Sequence, residues 1–140
     1  MNYYIFADGA SKGNPGKASV GAVCFLNSIP DLNEFKQGYD PVFFISEFIG
    51  HKTNNEAEYL SIIFALKKLI EKNITKAKIF MDSELVVKQV NGQYKVKKDT
   101  LQLLWTQVKE LTKHGEFDFT HIPREKNTIA DYLANQALKK

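Results

Sequence analysis

Cysteine is almost missing from this chain: Cys24, in the apolar run VGAVCFL, is the only one, so an internal disulfide is excluded. A buried, inert thiol in a reducing compartment is expected. Histidine is scarce as well, with three residues and none at ligand spacing to Cys or a second His, which argues against a zinc site. No run approaches the ~18 consecutive apolar residues of a membrane span. Asn2 and the early Asp8 spoil any signal peptide, so cytoplasmic residence and no membrane partner are expected. Repeats, low-complexity segments and interdomain linkers are absent. Neither sign of charge dominates: 19 Lys and Arg against 16 Asp and Glu leave +3, mildly favourable for nucleic acid and no more. What is present is 140 residues, 44% hydrophobic and 25% charged, the size and balance of one domain over 1–140 with its own core.

The chain opens with YYIFA, Tyr3 to Ala7, aromatic and β-branched without polar interruption, as a strand buried on both faces requires. Asp8 is expected where that strand leaves the core. The stretch Gly-Ala-Ser-Lys-Gly-Asn-Pro-Gly then reads as a loop in which Gly13 and Gly16 allow positive φ and few side chains obstruct a phosphodiester backbone. Ala18 to Leu26 and Pro41 to His51 read as strands around a loop from Asn27 to Asp40. With no helix between them, the three form an antiparallel meander. Helical periodicity starts at Asn54 or Asn55 and runs to about Lys72, with Thr53, Asn54 and Asn55 as cap candidates and Asn73 as a stop.

Ala77 to Met81 is a short strand ending at Asp82-Ser83, and Glu84 to Val90 a helix closed by Asn91-Gly92. Gln93 to Lys98 is a basic connection, followed by a helix from Asp99 to Lys113 that carries Leu101, Leu104, Trp105, Val108 and Leu111 at helical spacing, Trp105 being read as core. Glu116 to Ile122 is a last strand, Pro123 breaks it, and Thr128 to Leu138 is a helix capped by Asn127. The order β-β-β-α-β-α-α-β-α predicts an α/β fold. Its mixed five-stranded sheet has three antiparallel strands, then two parallel to the first, with helices on both faces.

Four acids occupy places that the bland explanations fit poorly. Asp8 and Asp82 end adjacent parallel strands, where sites in such sheets form. Glu58 shares a helical stripe with Ile62, Ala65 and Leu69 and faces inward, whereas Glu56 points away and suits the helix dipole. Asp131 lies one turn into the last helix on the side of Ala134 and Leu138. Inward carboxylates without a matching buried Lys or Arg point to an oxygen-ligated cation, magnesium being the expected metal.

These residues carry a resemblance. DGASKGNPG, TNNEAEY, the strand-terminal MDS and HIPREKNTIADYLAN are similar to the motifs of the ribonuclease HI family, in that family's order and over nearly the whole chain. The resemblance implies endonucleolytic hydrolysis of the RNA strand of RNA/DNA hybrids by two magnesium ions, with manganese as a possible substitute, leaving 5′-phosphate and 3′-hydroxyl ends. It makes Asp8, Glu58, Asp82 and Asp131 the metal-binding acids and His121 a mobile proton carrier in a loop with Pro123. It places Ser11, Asn14 and Asn54 towards the RNA minor groove, and Thr53 and Asn55 in a DNA-phosphate pocket. Lys95, Lys97 and Lys98 are candidate phosphate contacts in the short segment where many relatives insert a basic handle. A hybrid-binding domain is absent from the pattern, and a monomer without an obligate protein partner is expected. The competing expectations are a catalytically weak hybrid-binding module and a related-fold nuclease acting on other nucleic acids; an exonuclease pattern wants an acid where Ala10 stands.

Overall fold

Burial on both faces of the first two strands builds the centre of the molecule, here described as a computed structural model covering residues 1–139. β1 (Tyr3–Gly13) and β2 (Gly16–Leu26) are antiparallel over their whole length, Ile5 facing Cys24 and Asp8 facing Gly21. β3 (Phe43–Lys52) continues the meander against β2, with an irregularity at Ala18/Ser19. β4 (Lys76–Met81) and β5 (Glu116–His121) lie on the other flank, β4 parallel to β1 and β5 parallel to β4, giving the order β3-β2-β1-β4-β5. The expected fold class and strand directions therefore hold.

Period-two side-chain alternation sends the strands' apolar residues to two faces. Ile5, Ala7, Val20, Ala22 and Cys24 pack with Tyr59, Ile62, Leu66 and Leu69 of α2 (Asn54–Glu71). Phe6, Val23 and Phe25 turn the other way, onto Ile129 and Leu133 of α5 (Thr128–Leu138). Thr53 caps α2 reciprocally, its hydroxyl accepting from the Glu56 amide while the Glu56 carboxylate accepts from the Thr53 amide. Asn73, at φ 59°, ends the helix with a left-handed residue. α3 (Glu84–Val90) follows β4 from a Ser83 cap, and α4 (Asp99–Thr112) packs against α2. None of the described helices is long and apolar enough to cross a membrane.

Four expectations need correction. Asp8 does not end its strand: β1 runs on to Gly13, because the residues that read as a loop pair with β2 and only Asn14 and Pro15 make the turn. Gly13 has the expected positive φ of 111°, but Gly16 does not; a Cβ there would meet the Lys12 carbonyl oxygen at 2.1 Å, so its role is close approach. The expected loop from Asn27 to Asp40 contains α1 (Leu32–Lys36), nucleated by a capping box between Asp31 and Glu34 and packed through Leu32 and Phe35 onto the α5 face. At five residues it is too short to show a helical period, although Asp31-x-x-Glu34 is a readable start signal. Trp105 is half-buried rather than core: its ring packs on the core edge, and its Nε1 donates to the Gln89 carbonyl at 3.1 Å.

Candidate active site

Where β1 and β4 part, the sheet opens. Their pairing covers Tyr4 to Phe6 against Lys78 to Phe80, and continuing that register would set Asp8 opposite Asp82, just past the end of β4 at Met81. Asp8 is thus mid-strand towards β2 yet at the end of its partnership with β4. Both helices are drawn in by glycines. A Cβ on Gly9 would lie 2.3 Å from the Ala57 carbonyl carbon, and one on Gly21 would lie 2.3 Å from the Ala130 carbonyl oxygen. Glycine at these two positions therefore lets the start of α2 and the middle of α5 rest directly on the sheet.

The first of these contacts brings Glu58 to Asp8. Its Oε1 accepts a hydrogen bond from the Gly9 amide at 2.5 Å. Asp8, Glu58 and Asp82 each offer an oxygen such that all three lie within 4.8 Å of one another. Asp8 is 6% and Glu58 7% exposed, and the Asp82 side chain 10%, so water screens them little. Burial pushes the Asp8 carboxyl far above its ordinary range, and the neighbouring Glu58 and Asp82 charges push it further. Glu58 is also raised by burial, against the opposing pull of the Gly9 amide. Three close carboxylates in low dielectric must hold protons or a cation. An all-oxygen set with no nitrogen or sulfur fits a hard divalent ion, so the residues present suit magnesium chemistry.

Asp131 falls outside that group of three, half-buried one turn into α5, but its charge contributes to raising Asp8. His121 is exposed and is the last residue of β5, opposite Met81, rather than part of the Pro123 loop. Glu56 is spent on the α2 cap, as its outward position implied.

The other candidates form two neighbouring surfaces. Ser11 donates to the Lys52 carbonyl at 2.9 Å and also to that of Gly13, while the Asn14 side-chain oxygen accepts from the Asn54 amide at 3.0 Å. The β1–β2 turn and the start of α2 therefore make one polar ridge, with Thr53 half-buried at its base. Asn55 lines a groove with Tyr94, Lys95, Lys97 and Lys98. Asn54 of the ridge and Asn55 of the groove are consecutive residues in the first turn of α2.

Comparison with known proteins decides the family. The reverse transcriptase-like family profile matches residues 6–137. A ribonuclease H of Chlorobium phaeobacteroides is 31% identical over 151 positions, covering 96% of this chain and 94% of that protein. The chain belongs to the ribonuclease H family. Within it, a bifunctional protein of Mycobacterium tuberculosis is 39% identical over 140 residues, but the chain spans only 36% of that relative's length. The structure of that protein's N-terminal RNase H domain superposes with a TM-score of 0.86 at 36% identity, covering 98% of both chains. An RNase H1 isolated from compost, solved in complex with RNA/DNA hybrid, gives 0.85 at 35% identity, covering 99% of this chain and 97% of that one.

Two residues at this candidate site are not marked as such by the sequence pattern. Asn127 reads as a helix cap, but its side chain makes no capping bond; Nδ2 donates instead to the Ala7 carbonyl at 3.0 Å and to Asp82 Oδ1 at 3.3 Å. Arg124 brings Nε to 3.8 Å from Asp82 Oδ2 while 88% exposed, so it is a screened partner and not a buried counter-ion. Nothing in the spacing marks Arg124; for Asn127 the cap signal conceals the real use.

Proposed function

We propose that this chain hydrolyses the RNA strand of RNA/DNA hybrids endonucleolytically, leaving 5′-phosphate and 3′-hydroxyl ends. The observation that carries the reading is the cluster of buried Asp8 and Glu58 with half-buried Asp82, with oxygens within 4.8 Å, at the strand split of a ribonuclease H-family fold. These three, with Asp131 at the margin, would hold magnesium, or manganese in its place. When bound, two such ions supply an activated water on one side of the scissile phosphate and stabilisation of the departing 3′ oxygen on the other.

The chain's own residues would do the rest. Gly9 and Asn127 hold Glu58 and Asp82 by hydrogen bonds, limiting the rearrangement needed when charge changes at the phosphate. His121, exposed at the end of β5, would carry a proton to or from the leaving strand. The ridge of Ser11, Asn14 and Asn54 would meet ribose hydroxyls, which distinguish RNA from DNA. Thr53 and Asn55, with Lys95, Lys97 and Lys98 along the groove, would take phosphates of the other strand. The active species would be a cytoplasmic monomer.

Purified protein incubated with end-labelled RNA/DNA hybrid, RNA duplex and DNA duplex, with and without magnesium, tests this. Cleavage of the hybrid's RNA strand alone, dependent on magnesium and lost in Asp8→Asn and Asp82→Asn, is expected. Normal turnover by either folded variant, or binding of hybrid without cleavage, would refute it.

A further inference from the structure

Asn127 stands where β1 and β4 separate, and it makes a connection that neither strand can make for itself. Beyond Phe6 and Phe80 the parallel ladder ends, which leaves the Ala7 carbonyl without a strand partner on that side. The Asn127 amide donates to it at 3.0 Å, standing in for the missing backbone N–H. Its second amide hydrogen is directed at Asp82 Oδ1, 3.3 Å away. The residue is 1% exposed, and its own Oδ1 has no hydrogen-bond partner. Turning the amide over would satisfy nothing: it would set that oxygen against the Ala7 carbonyl and the Asp82 carboxylate, bringing acceptors face to face. The orientation is therefore dictated by the two acceptors, at the expense of a buried carbonyl. Asn127 also accepts, through its backbone carbonyl, the amide of Asp131 at 3.1 Å. One residue thus touches the strand position preceding Asp8, the carboxylate of Asp82 and the backbone of Asp131. Helix capping does not account for it, since the side chain caps nothing.

We propose that Asn127 is a positioning residue: its amide bridges the parted strands β1 and β4 and fixes the Asp82 carboxylate relative to Asp8, so that cation affinity depends on it. The inference rests on the metal-binding reading above. Groups that orient a ligating carboxylate typically contribute about 10- to 100-fold to metal affinity. Asn127→Ala removes both donors; Asn127→Ser removes the reach to Asp82 but supplies a good N-cap residue.

The experiment is a magnesium titration of the whole chain, read by melting temperature and, separately, by hybrid cleavage. In the wild type, magnesium alone should raise the melting temperature with a measurable midpoint. In both variants that midpoint should move up by about 10-fold or more. Cleavage should fall at low magnesium and recover towards wild type at high magnesium, a pattern that simple loss of stability does not produce. An unchanged midpoint in either folded variant would overturn the proposal, as would wild-type cleavage by Asn127→Ser at low magnesium, because the residue would then be a cap. Failure of both variants to fold would also overturn it, by assigning Asn127 to the fold alone. A wild type whose melting ignores magnesium would instead remove the metal-binding reading, and this inference with it.

Discussion

Gly9→Ala isolates how closely helix α2 must rest on strand β1. The added Cβ would lie 2.3 Å from the Ala57 carbonyl carbon, 2.4 Å from the Glu58 amide nitrogen and 2.5 Å from the Ala57 carbonyl oxygen. All three are backbone atoms, so no side-chain rotation relieves the clash. Ordinary contact begins at 3.4 Å, so the first turn of α2 must retreat from β1 by about 1 Å. Overpacking of this kind costs about 1–3 kcal/mol. For a domain of this length that lowers the melting temperature by roughly 3–12 °C. The retreat also breaks or lengthens the hydrogen bond from Gly9 to Glu58 and carries that carboxylate away from Asp8. A misplacement of ~1 Å at a reacting centre costs on the order of 100-fold in rate. Gly38→Ala is the control, since Gly38 has open space around it and a φ of 106°, and so costs about 1 kcal/mol of backbone strain and no activity. The assays are thermal melting without metal and hybrid cleavage at saturating magnesium. A Gly9→Ala protein as stable and as active as Gly38→Ala would refute the claim that the approach of α2 builds the site.

Glu56→Gln should keep the reciprocal cap, because glutamine at that position still accepts from the Thr53 amide, and so should leave cleavage near wild type. Glu58→Gln should lower cleavage by orders of magnitude with little loss of stability, and equal activity in the two variants would contradict the assignment. Metal-free stability should fall as pH rises from about 5 to 8. The raised folded-state affinity of Asp8 and Glu58 for protons means that the unfolded chain releases them first, above their ordinary values of 3.8 and 4.5. The slope is at most about 1.4 kcal/mol per pH unit for each retained proton. Saturating magnesium should flatten it, as followed by denaturant titration at several pH values; a metal-free slope of zero would show that the acids are not strained. Changing Lys95, Lys97 and Lys98 together to alanine should raise the KM for hybrid with kcat largely kept. The log-log salt slope of hybrid binding, measured in calcium, should fall by about 0.9 for each phosphate that these lysines no longer neutralise. An unchanged slope would reduce them to solvated surface.

Much of this is legible from residue order because local physics dictates it. Apolar runs mark the strands and period-3.6 patterning the four longer helices, and the turn and cap residues Thr53, Asn73, Asn91 and Gly92 mark their ends. The inward stripe of Glu58 with Ile62 and Leu69 distinguishes it from Glu56, since one helix has only one buried face. What the pattern could not carry is any interaction whose partners lie far apart in sequence. Asp8 looks like a strand terminus because a run of small polar residues reads as a loop, yet pairing with β2 extends β1 to Gly13. Gly9 falls in the stretch that reads as a loop and Gly21 inside a strand, but each is required where a helix much later in the chain presses on the sheet. Asn127 is the sharpest case. As a single residue before a helix it signals a cap, and only the parting of β1 and β4 supplies the two acceptors that claim its amide instead. Helix period and chain order determine which acids face inward; the distance at which they meet is set by which backbones can touch.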